Sequence, residues 1–411
     1  MSRDLRLLTF TSLFPSAARP RHGIFIESRL QRLLARGGVT SQVVAPVPWF
    51  PFGGERLGEY GRMASTPRTE VRGGIEVQHP RYLMVPKVGM SLQPAAMARS
   101  SRRAVQELMQ RGAEFDLIDA HYLYPDGVAA AALARWMGLP YVLSARGTDV
   151  NVIARMAGPR ERILGAIEGS AGVIAVSAAL KAAMVGLGVD GDRITVLRNG
   201  VDAELFYPED RAAARSALGL PALYAPIVAS VGNLIPAKRH DLVLQAAAQV
   251  DRLHVVIVGR GQEYQQLTRL AQQLHLADRV HFLEEMPQPR LRLVYSAVDL
   301  LVLASEREGW PNVLLESAAC GTPVVAFRIG GVPEILTDRT IGTIVRDAHL
   351  PAPLAAAISG LLQDLPARDA VRAAAVRFSW EPVLDAQLAF YRRAVASALA
   401  RSASTHEVAR A

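Results

Sequence analysis

One cysteine, Cys320, is present among the 411 residues, so no intramolecular disulfide can form. Because disulfides persist in oxidising compartments, this scarcity favours a reducing, cytoplasmic setting. Apolar segments long enough to cross a membrane are also missing. A charge-free window runs from Ser216 to Ala237, but it holds three prolines and two glycines, which a spanning helix would not carry together.

The start of the chain lacks the features of a secretory signal. The apolar run from Leu7 to Phe14 is short, is interrupted by Thr and Ser, and follows Asp4. This pattern favours a first β-strand over a signal peptide.

The usual marks of bound cofactors are missing as well. Gly259 and Gly261 follow a predicted strand, but the third glycine of a dinucleotide fingerprint is absent. Asp190 and Asp192 have the spacing of a metal-binding pair, yet they lie in a predicted turn with no third ligand nearby. No cluster of His, Cys and carboxylates suggests another site. We therefore expect no cofactor and no metal.

Charge is unevenly distributed along the chain. Residues 1–200 hold 25 Lys and Arg against 16 Asp and Glu, while the remainder holds 21 against 22. The basic surplus of the first half points to an anionic acceptor or to an anionic membrane surface. Nucleic acid is disfavoured as a partner, because no basic run is interleaved with stacking aromatics.

Two amphipathic, proline- and glycine-rich stretches, residues 46–63 and 79–90, lie within this basic half. Such segments either dip into a lipid headgroup layer and grip a lipid-linked acceptor, or fold as long loops onto their own domain. Both interpretations stay open. We expect a cytoplasmic protein, with peripheral association at the inner face of a membrane as the accompanying hypothesis.

The chain is long enough for two domains of ordinary size. Its predicted strands are continuous apolar runs rather than alternating ones, a pattern typical of parallel strands covered by helices on both faces. We expect an α/β fold with domains at 1–205 and 206–376 and a last helical segment at 377–400. Strands of the second domain are predicted at 227–231, 254–258, 280–283, 300–304, 323–327 and 342–345.

One stretch, from Glu308 to Leu336, concentrates the chemistry. It contains two glutamates, Glu308 and Glu316, then a helix-forming run, an apolar strand and the pair Gly330-Gly331. Loop, helix, strand and glycine loop in this order indicate part of a nucleotide-binding domain. Glu316 lies in an otherwise apolar helical segment, so a buried carboxylate with a ligand partner is favoured over a surface charge. Carboxylates of this kind accept hydrogen bonds from hydroxyl groups of a ligand.

Four further candidates follow predicted strands, where open α/β sheets bind ligands. His121 comes directly after one strand and Arg146 after the next; Arg146 either meets a diphosphate or pairs with Asp149. Lys238 lies just past the first strand of the second domain, well placed to neutralise a phosphate. Gly23 precedes a helix N-terminus, an arrangement that lets backbone approach a phosphate but is equally an ordinary turn.

Together these segments resemble the large family of retaining glycosyltransferases with the GT-B fold, glycosyltransferase family 4 (glycosyl transferases group 1). The resemblance covers nearly the whole chain. It rests on DAHYLYPDG with His121, ARGTD, AVSAALK, VLRNGVDAELFYP, GNLIPAKR, VGRGQE, the paired glutamates with CGTPVVA and GGVPEIL, and the C-terminal FSW. The glutamates with CGTPVVA and GGVPEIL are the most specific.

The resemblance implies two Rossmann-like domains facing across a cleft, with the last helix crossing back to the first. It implies hexosyl transfer, with retention of anomeric configuration, from a UDP- or GDP-sugar to an acceptor hydroxyl. The acceptor would be lipid-linked or a glycan of exopolysaccharide or cell-envelope biosynthesis. By position, His121, Lys238 and Glu308 would be catalytic. The donor would be bound by Gly23, Arg146, Asn233, Arg239, Gly259, Glu316, Gly330, Gly331 and Glu334.

One position departs from the family. An arginine often follows the glycine where this chain has Asn233, so diphosphate binding would depend more on Lys238, helped by Arg239 or the first domain. Two alternatives remain: an epimerase or hydrolase of nucleotide sugars with the same fold, and a non-catalytic subunit that binds a nucleotide sugar. A dinucleotide oxidoreductase is disfavoured for want of its glycine fingerprint.

Overall fold

The computed structural model describes residues 3–49, 58–84, 89–220, 225–346 and 350–408. The chain divides into two compact units. Unit 1 comprises Met1–Arg198 with Glu381–Ala411, and unit 2 comprises Asn199–Trp380. The last helix thus belongs to the unit in which the chain begins.

Unit 1 alternates strands and helices. Its strands are β1 (Leu5–Phe10), β2 (Val39–Val44), β3 (Val47–Trp49), β4 (Thr69–Arg72), β5 (Ile75–Gln78), β6 (Arg81–Leu83), β7 (Leu117–His121), β8 (Tyr141–Ala145), β9 (Val173–Ala175) and β10 (Ile194–Val196). Its helices are α1 (Ile24–Arg36), α2 (Gly58–Ala64), α3 (Gln93–Gln110), α4 (Val128–Met137), α5 (Thr148–Asn151), α6 (Ala157–Gly169), α7 (Ala178–Gly186) and α16 (Glu381–Val408).

Eight of these strands form one sheet in the order β10-β9-β8-β7-β1-β2-β5-β4. All neighbours run parallel except β4, which pairs antiparallel with β5 at the edge. The central strands β7 and β8 are buried along their whole length, as expected for parallel strands covered on both faces. Because parallel carboxyl ends meet at one edge, the segments after β1, β7 and β8 are neighbours.

The region between residues 47 and 90 contains more regular structure than the sequence predicts. Strands β4 and β5 form a hairpin that extends the main sheet, and β3 pairs with β6 in a separate two-stranded sheet. These strands are three or four residues long, and β4 (TEVR) is charged and half exposed, so it carries little apolar signal. Residues 50–57 and 85–88 of the two amphipathic stretches lie outside the described residues.

Unit 2 repeats the alternation. Its strands are β11 (Ile227–Val231), β12 (His254–Val258), β13 (Val280–Leu283), β14 (Leu300–Leu303), β15 (Val324–Phe327) and β16 (Gly342–Val345). Its helices are α8 (Arg211–Ala217), α9 (His240–Ala247), α10 (Tyr264–Gln273), α11 (Gln288–Ala297), α12 (Asn312–Ala319), α13 (Val332–Ile335), α14 (Pro351–Gln363) and α15 (Arg368–Ala375).

The six strands of unit 2 form an all-parallel sheet in the order β13-β12-β11-β14-β15-β16. Each of the six lies within one residue of its predicted bounds. Fully buried aliphatic residues of β11, β12, β14 and β15 pack against α9, α10 and α14 to form the core. The strand order reverses between β11 and β14, and ligands of open sheets bind beside such a switch point.

Hydropathy gives a clear result for the described part of the chain. None of its helices is both long enough and apolar enough to cross a bilayer.

Candidate active site

In unit 2, Lys238 and Glu308 are brought into contact by two loops. Lys238 ends the short turn Pro236–Lys238 after β11, and Glu308 lies between β14 and α12. The Glu306 amide donates to the Ala237 carbonyl (2.9 Å), which packs the second loop on the first. Lys238 Nζ lies 2.6 Å from Glu308 Oε1. An ammonium has three N–H donors, of which this bond uses one, so Lys238 is able to hold a phosphate oxygen as well.

The glycine loop closes over the same point. Gly330 has φ 44°, and a Cβ there would lie 1.9 Å from the carbonyl oxygen of Glu308, so only glycine permits this approach. Gly331 follows and precedes the short helix α13, on which Glu334 is half-buried. The structure therefore groups Lys238, Glu308 and the glycine pair.

Glu316 occupies a buried polar niche on α12. Its side chain is 8% exposed. Tyr295 Oη donates to Oε2 (2.9 Å), and Gln288 Nε2 lies 3.4 Å from Oε1. Burial raises the pKa of Glu316 to about 7, although both hydrogen bonds oppose the shift. A carboxylate held by two donors has lone pairs left for ligand hydroxyls.

The turn after β11 carries the residue that departs from the family pattern. Asn233 is exposed, and the turn is backed by His240, whose ring contacts Ser230 Oγ (2.8 Å) and the Asn233 carbonyl (3.3 Å). Burial lowers the pKa of His240 to about 4, so this ring is neutral. Gly259 lies beside the turn, since the Gly232 amide donates to the Val258 carbonyl (3.0 Å).

Arg239 is turned toward two carboxylates, Asp241 of its own segment and Glu306 of the loop before α12. Its Nε and Nη2 donate to Asp241 at 3.0 Å, and Nη1 lies 3.6 Å from Glu306. Asp241 accordingly raises the pKa of Arg239. The charge of Arg239 is thus already balanced, whereas Lys238 points to Glu308.

In unit 1, Gly23 occupies a position that only glycine tolerates. It precedes α1 with φ 68°, and a Cβ there would lie 1.8 Å from the Leu13 carbonyl oxygen. The first turn of α1 therefore presents its amide groups close to the loop after β1. The guanidinium of Arg146 lies over the ring of Phe25 in this turn, 5.3 Å from its centroid.

Arg146 does not use its side chain to pair with Asp149. The Asp149 carboxylate instead accepts backbone amides of Arg146, Gly147, Val150 and Leu123, at 2.7–3.2 Å. The Arg146 guanidinium donates through Nη2 to His121 Nδ1. Of the two alternatives left open by the sequence, pairing of the Arg146 side chain with Asp149 is thus not the one adopted.

His121 lies buried at the end of β7. Its Nε2 donates to Asp119 Oδ2 (3.0 Å), and the same oxygen accepts Tyr391 Oη (2.7 Å) from α16. Burial lowers the pKa of His121, and Arg146 adds to this while Asp119 opposes it. Burial alone would raise the pKa of Asp119, but His121, Tyr391 and Arg146 outweigh it and hold that pKa below its ordinary value.

A cavity of about 230 Å³ opens beside the loop after β1 in unit 1. Arg19, His22 and His79 line it together with serine, threonine and glutamine side chains, and Pro46, Met63 and Met84 give it apolar walls. Among the described lining residues none is acidic. Thr66 Oγ1 is buried there without a hydrogen-bond partner in the described part of the chain. The cavity therefore suits a hydroxylated ligand, and the Arg19 guanidinium in its lining suits an anionic group.

Sequence reasoning missed the partners of the predicted residues. Tyr295 and Gln288 hold Glu316 from a helix 20 to 30 residues away. Asp119 holds His121 from within β7, and Tyr391 of α16 in turn holds Asp119. Asp119 was detectable as a charge within a buried strand. Tyr391 carried no comparable signal.

Two family models match this chain. The model described as glycosyltransferase family 4 matches residues 28–205, and the model described as glycosyl transferases group 1 matches residues 221–377. One similar protein is the D-inositol 3-phosphate glycosyltransferase of Acidothermus cellulolyticus. It is 35% identical to this chain over 354 residues, which cover 79% of this chain and 77% of that protein. The enzyme of that name from Mycolicibacterium paratuberculosis is 42% identical over 216 residues, and the alignment spans about half of each protein.

Solved structures share the fold. Sucrose-phosphate synthase from Thermosynechococcus elongatus matches with a TM-score of 0.77 at 20% identity, over 96% of this chain and 100% of that one. Anabaena HepE in complex with UDP-glucose matches with a TM-score of 0.69 at 21% identity, over 93% and 98%. The resemblance and the GT-B fold class inferred from the sequence are confirmed. The chain belongs to glycosyltransferase family 4, the glycosyl transferases group 1, and has the GT-B fold.

Proposed function

We propose that this protein transfers a hexosyl group from a nucleotide-diphosphate sugar, a UDP- or GDP-sugar, to an acceptor hydroxyl with retention of configuration. The observation that carries the proposal is the contact of Lys238 with Glu308 under the Gly330 loop. It places a cation and a carboxylate together beside the switch point of the sheet. The UDP-glucose in the HepE structure supports a nucleotide sugar as the donor class.

The chemistry requires both charges. Cleavage of a sugar–diphosphate bond develops negative charge on the leaving phosphate, and Lys238 is suited to stabilise that charge where it forms. Glu308 and Glu316 would repel a phosphate, so we assign them to hydroxyls: Glu308 to the sugar and Glu316, with Tyr295 and Gln288, to the ribose. In unit 1, His121 and Arg146 are the candidate site residues. Protein groups balance the diphosphate charge in this proposal, without a metal ion.

The acceptor has two candidate classes. The basic surplus of residues 1–200 supports a lipid-linked or glycan acceptor at an anionic membrane surface. The names of the relatives support a phosphorylated cyclitol instead, and the cavity of unit 1, with its basic and hydroxyl lining, suits such a ligand. We favour the phosphorylated cyclitol because the hydroxyl lining of the cavity suits its hydroxyls and the basic residues of unit 1 suit its phosphate.

A product assay tests the proposal. UDP-glucose, UDP-N-acetylglucosamine and GDP-mannose would each be incubated with inositol 3-phosphate or with a lipid-linked saccharide on anionic liposomes, in EDTA. We expect a glycoside from one pair, with the anomeric configuration of the donor by NMR. Turnover of the donor alone, to an epimer or a free sugar, would favour the epimerase or hydrolase alternative. Donor binding without any product would favour a non-catalytic subunit.

A further inference from the structure

A continuous chain of buried side chains runs from α1 and α16 to β7 in unit 1. Arg29 Nε donates to Gln387 Oε1 (2.7 Å), and Gln387 Nε2 donates to Tyr391 Oη (2.5 Å). Tyr391 Oη in turn donates to Asp119 Oδ2 (2.7 Å). Each of these side chains is at most 2% exposed. The bonds link α16, near the end of the chain, to the strand that carries His121.

Only one placement of the hydrogens satisfies every hydrogen bond in this series of side chains. A guanidinium only donates, so Arg29 fixes the Gln387 oxygen toward itself and the Gln387 amide toward Tyr391. Tyr391 therefore keeps its own proton for Asp119. At the far end, Arg146 only donates to His121 Nδ1, so the histidine proton lies on Nε2, toward Asp119. His121 is neutral, and both of its nitrogens are occupied.

In this group, Arg146 has N–H donors that no described residue accepts. Its Nε and Nη1 are buried and find no acceptor among the described residues, because Asp149 is occupied by four backbone amides. Burying guanidinium N–H groups without an acceptor is costly. A planar fork of N–H donors matches the oxygens of a phosphate.

From this geometry we propose that Arg146 is the group of unit 1 that touches substrate phosphate, and that Tyr391, Asp119 and His121 are positioning residues that aim its guanidinium. This assignment rests on the proposed function for the source of the phosphate, which is either the donor diphosphate or the phosphate of an anionic acceptor. His121 then acts through Arg146, since neither ring nitrogen is left to contact a ligand. Tyr391 acts through Asp119 and His121, since its hydroxyl donates to the carboxylate that holds the histidine ring.

Tyr391 can affect the orientation of Arg146 because Tyr391 and His121 share one oxygen of Asp119. Both Tyr391 and His121 donate to Oδ2 of Asp119, while Oδ1 has no partner among the described residues. Removing the Tyr391 hydroxyl leaves the carboxylate held by His121 alone and free to rotate. The His121 ring and the Arg146 fork would lose their common orientation.

Binding measurements on the full chain separate the two sources. Calorimetric titration would use UDP and GDP for the donor and inositol 3-phosphate for the acceptor. Arg146→Lys should weaken one of these classes about tenfold, equivalent to one charge-assisted hydrogen bond. Weakening of the nucleotide assigns the donor diphosphate, and weakening of inositol 3-phosphate assigns the acceptor. Unchanged binding of both would overturn the proposal, whether or not transfer occurs with any pair.

Tyr391→Phe tests the positioning role, because it removes one hydroxyl and little else. We expect it to weaken the same ligand about fivefold, and to add less than about twofold in an Arg146→Lys background, since residues that act through one another are not additive. Tyr141→Phe is the matched control. Its buried hydroxyl donates to the Ala166 carbonyl (2.7 Å) and does not contact Asp119.

The control should lower the melting temperature by as much as Tyr391→Phe and leave both ligand affinities unchanged. Additive losses in the double variant, or equal loss of affinity in Tyr141→Phe, would reduce Tyr391 to a structural residue. Nitrogen-15 NMR of the histidines gives an independent readout. The His121 signals should report a proton on Nε2 in the wild type, and a mixture of tautomers in Tyr391→Phe.

Discussion

The two units build their candidate sites in different ways. In unit 2, Lys238 and Glu308 lie on adjacent loops at the sheet edge, and their contact needs only the packing of one loop on another. In unit 1, His121 and Arg146 are aimed by side chains from β7 and α16, 272 residues apart between Asp119 and Tyr391. The comparison teaches that the same α/β architecture holds charged groups either by neighbouring loops or by a buried network. The two designs should respond differently to substitution.

The largest effect is expected at the loop-built site. Lys238→Ala removes the cation that stabilises the leaving phosphate and should lower kcat about 10²- to 10³-fold, as when other preorganised transition-state charges are removed. Folding should persist, because Lys238 lies at the surface edge of a turn and not in the core. Steady-state kinetics with the productive donor–acceptor pair, together with a circular dichroism melt, measures both.

Glu308→Gln is the companion variant. Gln has the same shape as Glu but carries no charge, so Lys238 loses its ion pair and remains available to the diphosphate. Donor affinity should therefore stay unchanged while kcat falls steeply. If both variants transferred sugar at near the wild-type rate, the assignment of this pair to the reaction would be wrong.

His121→Ala should have a smaller effect on rate, about 10- to 100-fold, because the ring acts through Arg146 rather than on the reacting atoms. It also leaves Asp119 with one donor fewer inside the core, so the melting temperature should fall by several degrees. A contrast therefore follows between the units: Lys238→Ala costs rate without stability, and His121→Ala costs some of each. Equal melting temperatures in the two variants would contradict the buried-network description of unit 1.

Glu316 offers a prediction about pH. Burial raises its pKa to about 7 from an ordinary value of 4.5, so the folded state favours the protonated form. The resulting stabilisation is complete below about pH 4.5 and is lost as the pH rises through 7. Glu316→Gln should flatten this part of the stability–pH curve, by on the order of 3 kcal/mol between the two limits. Chemical denaturation at a series of pH values measures it.

Donor binding should depend on pH in the opposite sense. The ionised Glu316 accepts hydroxyl hydrogen bonds best, so the donor KM should rise as the pH falls below 7, and Glu316→Gln should raise it about tenfold at pH 8. Asp126 is the matched control in unit 1. It is fully buried against Ser12, and burial raises its pKa to about 7 as well. Asp126→Asn should flatten the stability curve similarly and leave the donor KM unchanged.

The units also differ in how much the sequence predicts. The strands of unit 2 are continuous apolar runs, and each predicted bound lies within one residue of the observed one. Lys238, Glu308, Glu316 and the glycine pair follow those strands, so their neighbourhood was predictable from parallel topology. In unit 1 the hairpin of β4 and β5 was missed, because its strands are short and partly charged. The Tyr391–Asp119 bond was unpredictable, since nothing local in either segment specifies a partner 272 residues away.

The smallest effect is expected at Arg239, and it sharpens the account of unit 2. The sequence names Arg239 as a helper of Lys238, to compensate for Asn233. In the structure its guanidinium is bound by Asp241 at 3.0 Å and lies 3.6 Å from Glu306. Partly exposed ion pairs of this kind contribute at most about 1 kcal/mol. Because these carboxylates already engage the guanidinium, we expect Arg239 to contribute little to binding the diphosphate. Arg239→Ala should change donor affinity less than about threefold, by calorimetric titration with UDP or GDP.

Asp241→Asn is the informative counterpart to Arg239→Ala. It releases the Arg239 guanidinium from its carboxylate while leaving the cation in place. If Arg239 can bind the diphosphate once Asp241 no longer holds it, nucleotide affinity should rise in Asp241→Asn. It should then return to the wild-type value in the Asp241→Asn, Arg239→Ala double variant. If Lys238 is the only one of these two cations that binds the diphosphate, neither change should alter affinity. We expect the second result, because the two neighbouring cations point to different carboxylates, and only the one paired with Glu308 lies beneath the Gly330 loop.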